Sequence, residues 1–329
     1  MSVSCVRVSV VVPTCRRPEL LGRCLEALLA QELPARLYEI VVADDAADDE
    51  TRALVAGIAM CAGRSAPAVR YVPVHGGHGP AAARNAGWRA ARGAIVAFTD
   101  DDCLPDPCWL REGLAVFRRS CVAAVSGRIV MPTPPVPSDY EVDAGRLQTA
   151  EFVTANCFCR RDALEAVGGF DERFPLAFRE DSDLHFTLLA KGFAIGRAPS
   201  AIVRHPVRPA VWGVSLGQQR KSMCNALLFK KHPRLYRERI QPAPPLRYYA
   251  MLAALTFGAA ALVRRRPAAA LAGSALWLAL TGEFCARRLR GTSHAPRHLL
   301  EMAVTSALIP PLAVYWRLRG ALRFRVLFF

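Results

Sequence analysis

Residues 94–102 read AIVAFTDDD: an apolar, β-branched run that ends in Thr99 and three consecutive carboxylates, Asp100-Asp101-Asp102. The run has the character of a strand buried on both faces. Upstream the same design recurs. Residues 8–12 (VSVVV) and 39–43 (EIVVA) are also buried-strand runs, ending at Pro13-Thr14 and at Asp44-Asp45, and 69–73 (VRYVP) is a further strand. Between them lie helical patterns. Pro18 opens one with Leu20, Leu21, Cys24, Leu25, Leu28 and Leu29 on one face, Asp48 and Asp49 suit the start of a second, and Pro80–Ala91 is a third. The loop before it is Gly76-Gly77-His78-Gly79. Four strand–helix alternations predict an α/β fold with a parallel sheet and helices on both faces. In such sheets ligands bind beyond the carboxyl ends of the strands. Pro13-Thr14, Asp44-Asp45 and Asp100-Asp101-Asp102 converge there.

Further along, residues 107–118 are expected as helix and 122–126 as strand. Pro132, Pro134, Pro135 and Pro137 mark a loop or lid. Helices follow at 161–167, closed by Gly168-Gly169, and at 180–191, closed by Gly192. Strand-like pieces fill 194–203, and 210–231 reads as a basic amphipathic helix. From 246 onward the chain is apolar over 248–263, 267–286 and 299–316, with arginine clusters at 264–266 and 287–290. Spanning helices, a tight hairpin and helices lying in the membrane interface all remain open. The domains read from this are 1–209, a basic interfacial segment 210–245, and an apolar helical membrane-associated region 246–329.

The 329 residues carry a formal charge of +15, unevenly placed. Residues 1–203 hold 22 basic and 25 acidic side chains, and the rest hold 21 basic and 3 acidic. A slightly acidic front with a basic tail argues against nucleic acid as a partner and for an anionic membrane surface. The composition, 52% apolar and 22% charged, excludes disorder as the main state. Eleven scattered cysteines without zinc spacing read as reduced thiols of a cytosolic domain. Val8–Pro13 is too short for a signal-peptide core.

Adjacent strand residues point to opposite faces, so Asp100 and Asp102 point alike while Asp101 points elsewhere. Crowded carboxylates invite a hard divalent cation, Mg²⁺ or Mn²⁺.

Four ordered segments resemble the family 2 glycosyltransferases, which invert stereochemistry on a GT-A fold. They are VSVVVPTCRRPELLGRCLEALLAQ, EIVVADDAADD, GPAAARNAGWRAARGAIVAFTDDDCLPDPCWL and RRDALEAVGGFDERFPLAFREDSDLHFTLLAKGF, within residues 6–205. The resemblance implies a Rossmann-like, mostly parallel sheet flanked by helices, with the apolar helical tail added. It implies a nucleotide-sugar donor held by Pro13, Thr14, Asp44, Asp45, Arg84, Asn85, Asp100, Asp101 and Asn156. Metal would sit at Asp100, Asp102 and His205. Asp181 would be the general base, with Glu180 second and Asp183 orienting the helix. Trp109 would pack behind the metal loop, and Gly168-Gly169-Phe170-Asp171 would form an acceptor-side turn. Ala46-Ala47 replaces the usual Gly-Ser after the first acidic pair, which loosens the expected turn. Gln218-Gln219-Arg220-Lys221 resembles the signature of processive relatives but lacks its Trp, so polymer synthesis is not supported.

The expected function is transfer of a sugar from a nucleotide-diphosphate donor to a hydroxyl of a lipid, lipid-linked or glycan acceptor at the cytoplasmic face of the membrane. Rivals are a polyprenyl-phosphate sugar transferase, a noncatalytic membrane-anchored nucleotide-binding protein, and a nucleotidyltransferase, which wants a Gly-rich phosphate loop that Thr14-Cys15-Arg16-Arg17 does not supply.

Overall fold

The computed structural model describes residues 6–328 except Arg64 and Gly77, so Gly77 of the glycine loop lies outside the described residues. The chain divides into two compact units. One takes in the chain up to Pro132 together with Arg146–Pro206, and the other holds Thr133–Gly145 and the chain from Val207 onward. The segment expected as separate at 210–245 thus shares a unit with the apolar helices. The proline stretch leads into that unit through a short helix.

The first unit alternates β1 (Val8–Thr14), α1 (Pro18–Leu29), β2 (Tyr38–Asp44), α2 (Asp49–Ala62), β3 (Ala68–Pro73), α3 (Pro80–Ala90) and β4 (Ile95–Phe98). After β4 come β5 (Leu104–Pro105), α4 (Trp109–Arg119) and β6 (Ala124–Val130). Beyond the second unit's α5 (Asp139–Gly145) lie β7 (Cys157–Arg160), α6 (Arg161–Val167), α7 (Glu180–Ala190) and β8 (Ile195–Arg204). They build one eight-stranded sheet in the order β3-β2-β1-β4-β7-β6-β8-β5. Every residue of β1 and β2 is buried, including Ser9 and Glu39, where the Ser9 hydroxyl donates to Glu39 Oε1 at 2.7 Å.

The parallel expectation holds for β3-β2-β1-β4. Beyond β4 the sheet is mixed. β7 runs antiparallel to both β4 and β6, and β5 antiparallel to β8, while β6 and β8 are parallel. β7 is the strand the sequence hides. Its four residues, Cys-Phe-Cys-Arg, are too few to show a period, and they carry Phe158 into the middle of the core.

α4 lies against that ring. Trp109 is wholly buried with its ring centroid 5.0 Å from that of Phe158. Gly113, one turn on, leaves the room that Phe158 fills: a Cβ there would stand 2.2 Å from the ring.

In the second unit the expected basic helix is α8 (Val214–Gln218), a 3₁₀ turn and α9 (Ser222–Lys231). Met223, Cys224, Ala226, Leu227 and Leu228 are buried, and α9 packs with α13 (Pro296–Phe324). Gly320 of α13 permits the approach, since a Cβ there would meet Met223 O at 2.7 Å. Between them run α10 (Pro233–Arg239), α11 (Leu246–Val263) and α12 (Pro267–Leu289). α11 and α12 pack closely at Gly258 and Gly273, where a Cβ on Gly273 would lie 2.7 Å from Gly258 backbone. α11, α12 and α13 are each long and apolar enough to cross a membrane. Leu255, Phe257, Leu262, Leu271, Leu276 and Leu278 stand exposed on them.

Gly113→Val forces side-chain atoms into a ring that cannot retreat. It is expected to destabilise the first unit by about 3 kcal/mol through overpacking, read as a lowered urea midpoint at unchanged slope.

Candidate active site

The site forms where β1, β2 and β4 end. At the end of β1, Pro13 and Thr14 are buried, and the Thr14 hydroxyl donates to Asp101 Oδ2 at 2.9 Å. Arg17 donates to Asp101 Oδ1 at 3.4 Å. Asp101 is buried, which pushes its carboxyl up, while Arg17 and Thr14 act the other way. It therefore clamps the end of β4 to the end of β1.

At the end of β2 the two aspartates part. Asp44 is fully buried and accepts from the backbone N–H of Ala46 and Asp48, each at 3.0 Å, and from the Tyr71 hydroxyl at 2.9 Å. These three donors tie Asp44 to the loop after β2 and to β3. The loop it shapes holds Ala47 at φ +50°, a left-handed conformation that favours glycine. Asp48 then caps α2 by accepting from Thr51 N at 2.8 Å, as expected. Asp45 is the member that keeps an accessible carboxylate. One of its oxygens accepts from Gly79 N at 2.8 Å.

Past the end of β4, in a turn closed by Cys103 N donating to Asp100 O at 3.1 Å, Asp100 and Asp102 gather in one cluster while Asp101 turns to Thr14 and Arg17. β5 follows at once and pairs antiparallel with the last residues of β8, Leu104 against Arg204. That pairing sets His205, just past β8, beside Asp102, just before β5. His205 Nε2 lies 3.6 Å from Asp102 Oδ1. Asp100, Asp102, Cys103 and His205 each offer one ligand atom, all within 4.8 Å of one another. Two carboxylates, an imidazole and a thiol suit a divalent cation. Cys103 was not foreseen; its one signal is its place directly after the three aspartates. Its thiol is buried, which raises its pKa well above the usual range.

Arg84 stands on α3 with its guanidinium buried. It donates to Asp100 Oδ1 at 2.8 Å and to Glu180 Oε1 at 2.9 Å. Both terminal nitrogens thus hold carboxylates, one on β4's end and one on α7. Asn85 is equally committed. Its amide donates to Phe170 O and Glu172 Oε1, and its Oδ1 accepts from Trp88 Nε1 and Phe170 N. It pins the turn at Gly168-Gly169, whose φ values of +79° and +74° only glycine adopts freely. Asp171 hydrogen-bonds within that loop to Arg173, as expected.

Asn156 is completely buried. Its Oδ1 accepts from Trp109 Nε1 at 2.8 Å, and its Nδ2 donates to the carbonyls of Arg128 and Ala201, each at 2.9 Å. These three hydrogen bonds join α4, β6 and β8 through one side chain. Trp109 packs behind the metal loop as read from sequence.

α7 begins at Glu180 after Arg179, a non-glycine residue at φ +77°. Such strain gathers at functional sites. Glu180 is buried against Arg84, whereas Asp181 is half-buried with Oδ1 accepting from Ser182 N. Burial raises the Asp181 carboxyl, and the Ser182 N–H and the nearby Arg179 and Arg84 hold against it. Asp183 is buried in the first turn of α7.

The model of Glycosyl transferase family 2 matches residues 9–167, and that of Glycosyl transferase family group 2 matches residues 95–316. The chain is 30% identical over 213 residues to the glycosyltransferase AglE of Haloferax volcanii, covering 61% of this chain and 67% of that protein. It is 32% identical over 219 residues to the succinoglycan biosynthesis protein ExoM of Rhizobium meliloti, with the same coverages of 61% and 67%. Among solved structures it is similar to the mannosyltransferase PcManGT of Pyrobaculum calidifontis, bound to GDP-Man and Mn²⁺. The TM-score is 0.56 at 21% identity, over 97% of this chain and 87% of that one, a likeness of fold. The sheet order, the strand-end carboxylates and these matches agree: the chain belongs to the family 2 glycosyltransferases.

Proposed function

We propose that this glycosyltransferase moves a sugar, with inversion, from a nucleotide-diphosphate donor to an acceptor hydroxyl on a lipid or glycoconjugate at a membrane. The observation that carries it is the gathering of Asp100, Asp102 and His205 into one cluster, joined through Arg84 to the helix that presents Asp181. Asp100, Asp102 and His205 would hold Mg²⁺ or Mn²⁺, with Cys103 beside them. A divalent cation there supplies positive charge to the diphosphate as it leaves. PcManGT, of the same fold, was solved with GDP-Man and Mn²⁺.

The chain's own residues do the rest. Asp45 offers a carboxylate to ribose or base N–H and O–H donors, at the rim of the loop that Asp44 shapes. Pro13 and Thr14 form the floor at the end of β1. Asp181 accepts the proton of the acceptor hydroxyl as its oxygen attacks the anomeric carbon, and a raised carboxyl pKa suits that task. Glu180, buried on Arg84, is the positioned partner of the pair and not the base.

The three apolar helices and the excess of arginine after residue 203 support a membrane location with the catalytic unit on the cytoplasmic side, where anionic lipids attract basic residues. ExoM, by its name, acts in succinoglycan biosynthesis, which supports an envelope glycan or its lipid-linked precursor as acceptor.

Asp102→Ala is expected to lose both turnover and Mn²⁺-dependent nucleotide binding while thermal unfolding still shows a folded protein. Full activity after chelation with EDTA would refute the metal role. Asp181→Asn keeps the shape but cannot take a proton, so kcat should fall about 10²–10⁴-fold with the donor Kd nearly unchanged. A wild-type rate in that variant would instead point to a phosphate acceptor, which needs no base. Membranes washed with 1 M salt should retain the full-length protein, because spanning helices do not depend on charge. Release by salt alone would show a peripheral protein.

A further inference from the structure

Arg84 is the one guanidinium among the described residues that a hydrogen bond joins to both the cation cluster and α7. Nη2 faces Asp100 and Nη1 faces Glu180, residues 16 and 96 positions away in the chain. The Arg84 and Glu180 side chains are 3% and 4% exposed, so water screens this pair little. Arg84 Nε and Glu180 Oε2 are both buried without a hydrogen-bond partner. A buried pair with spare capacity on each side has room to shift its pairing. Asp100, by contrast, is partly exposed toward the cluster.

We propose that Arg84 is a positioning residue that couples the cation cluster to the base: one buried charge is divided between Asp100 and Glu180, so the load on one carboxylate sets the hold on the other. This rests on the reading of Asp100 as a cation ligand and of Asp181 as the base. A guanidinium is a rigid fork that stays charged, so it serves two carboxylates at once and cannot escape by losing a proton. When Asp100 shares its charge with a divalent cation, more of Arg84's attraction falls on Glu180. Glu180 is the first residue of α7 and Asp181 the second. The same event therefore seats Asp181 for the acceptor. The coupling is reciprocal, as any linkage between binding equilibria must be. Glu180 thus influences cation affinity although it offers no ligand atom.

Two variants of the full-length protein test this, with Mn²⁺ alone as the probe, followed by calorimetry or by the loss of free-ion electron paramagnetic resonance signal. Glu180→Gln keeps the shape and an acceptor oxygen but removes the charge. Arg84 then pulls on Asp100 unshared, and Mn²⁺ affinity is expected to fall about 5- to 50-fold, the usual range of coupling between sites. Arg84→Gln removes the positive charge beside the cluster. It is expected to bind Mn²⁺ at least as tightly as wild type while kcat falls, a split that a merely structural role would not produce, since lost packing lowers both. Unchanged Mn²⁺ affinity in Glu180→Gln overturns the coupling while leaving the functional reading intact. If Glu180→Gln does not fold, Arg84→Gln decides, and a joint loss of Mn²⁺ binding and turnover there overturns the coupling. Failure of the wild type to bind Mn²⁺ overturns the cation reading and the coupling with it.

Discussion

Carboxylates crowded at the ends of buried strands must each find a donor, and this requirement organises the catalytic unit. Asp44, Asp101 and Glu180 are all buried, and an unpaired buried charge is destabilising by several kcal/mol in order of magnitude. The chain answers each one separately. Asp44 takes two backbone N–H groups and the Tyr71 hydroxyl. Asp101 takes Thr14 and Arg17. Glu180 takes Arg84, which it shares with Asp100. Beside those anchored neighbours stand Asp45, Asp100, Asp102 and Asp181, and Asp100 and Asp102 lie in one cluster with Cys103 and His205.

The placement of His205 shows how little backbone such a site needs. β5 is two residues long, yet its antiparallel pairing with the end of β8 aligns the residue after one strand with the residue before the other. Behind this pairing the core is held at polar as well as apolar points. Asn156 joins Trp109 on α4 to carbonyls of Arg128 on β6 and Ala201 on β8. A buried amide with three good partners gives a register that an apolar residue would not specify.

The second unit solves a different problem. Its helices expose leucines over much of their length, while its polar side chains gather inside. Arg288 of α12 donates to Asp139 of α5 and to the hydroxyls of Thr305 and Ser306 on α13. Glu301 of α13 accepts from Gly213 N just before α8. Thr133–Gly145, a proline-rich detour in sequence, is thereby held to the apolar helices as part of their unit. Gly258 and Gly273 let α11 and α12 approach closely, and Gly320 does the same for α13 and α9.

The sequence by itself determined the first half of the sheet, the strand ends where the carboxylates collect, the three apolar helices and the family. These are written in local periodicity and in contiguous motifs, and burial on both faces leaves an unmistakable run of β-branched residues. It also foresaw the split within Asp100-Asp101-Asp102, although a turn beyond β4 and not a strand pleat produces it. Tertiary structure decided which partners each candidate side chain has. Asn85, Asn156, Asp44 and Arg84 are polar and sit within or beside family motifs, so their residue types are equally consistent with ligand contact or internal pairing. Only neighbours distant in the chain distinguish the two. Phe170 and Glu172 take up Asn85, Trp109 takes up Asn156, Tyr71 takes up Asp44, and Glu180 takes up Arg84. Cys103 and the antiparallel β7 escaped for the same reason. A ligand set and a four-residue strand exist only through partners that folding brings near, and no spacing along the chain records them.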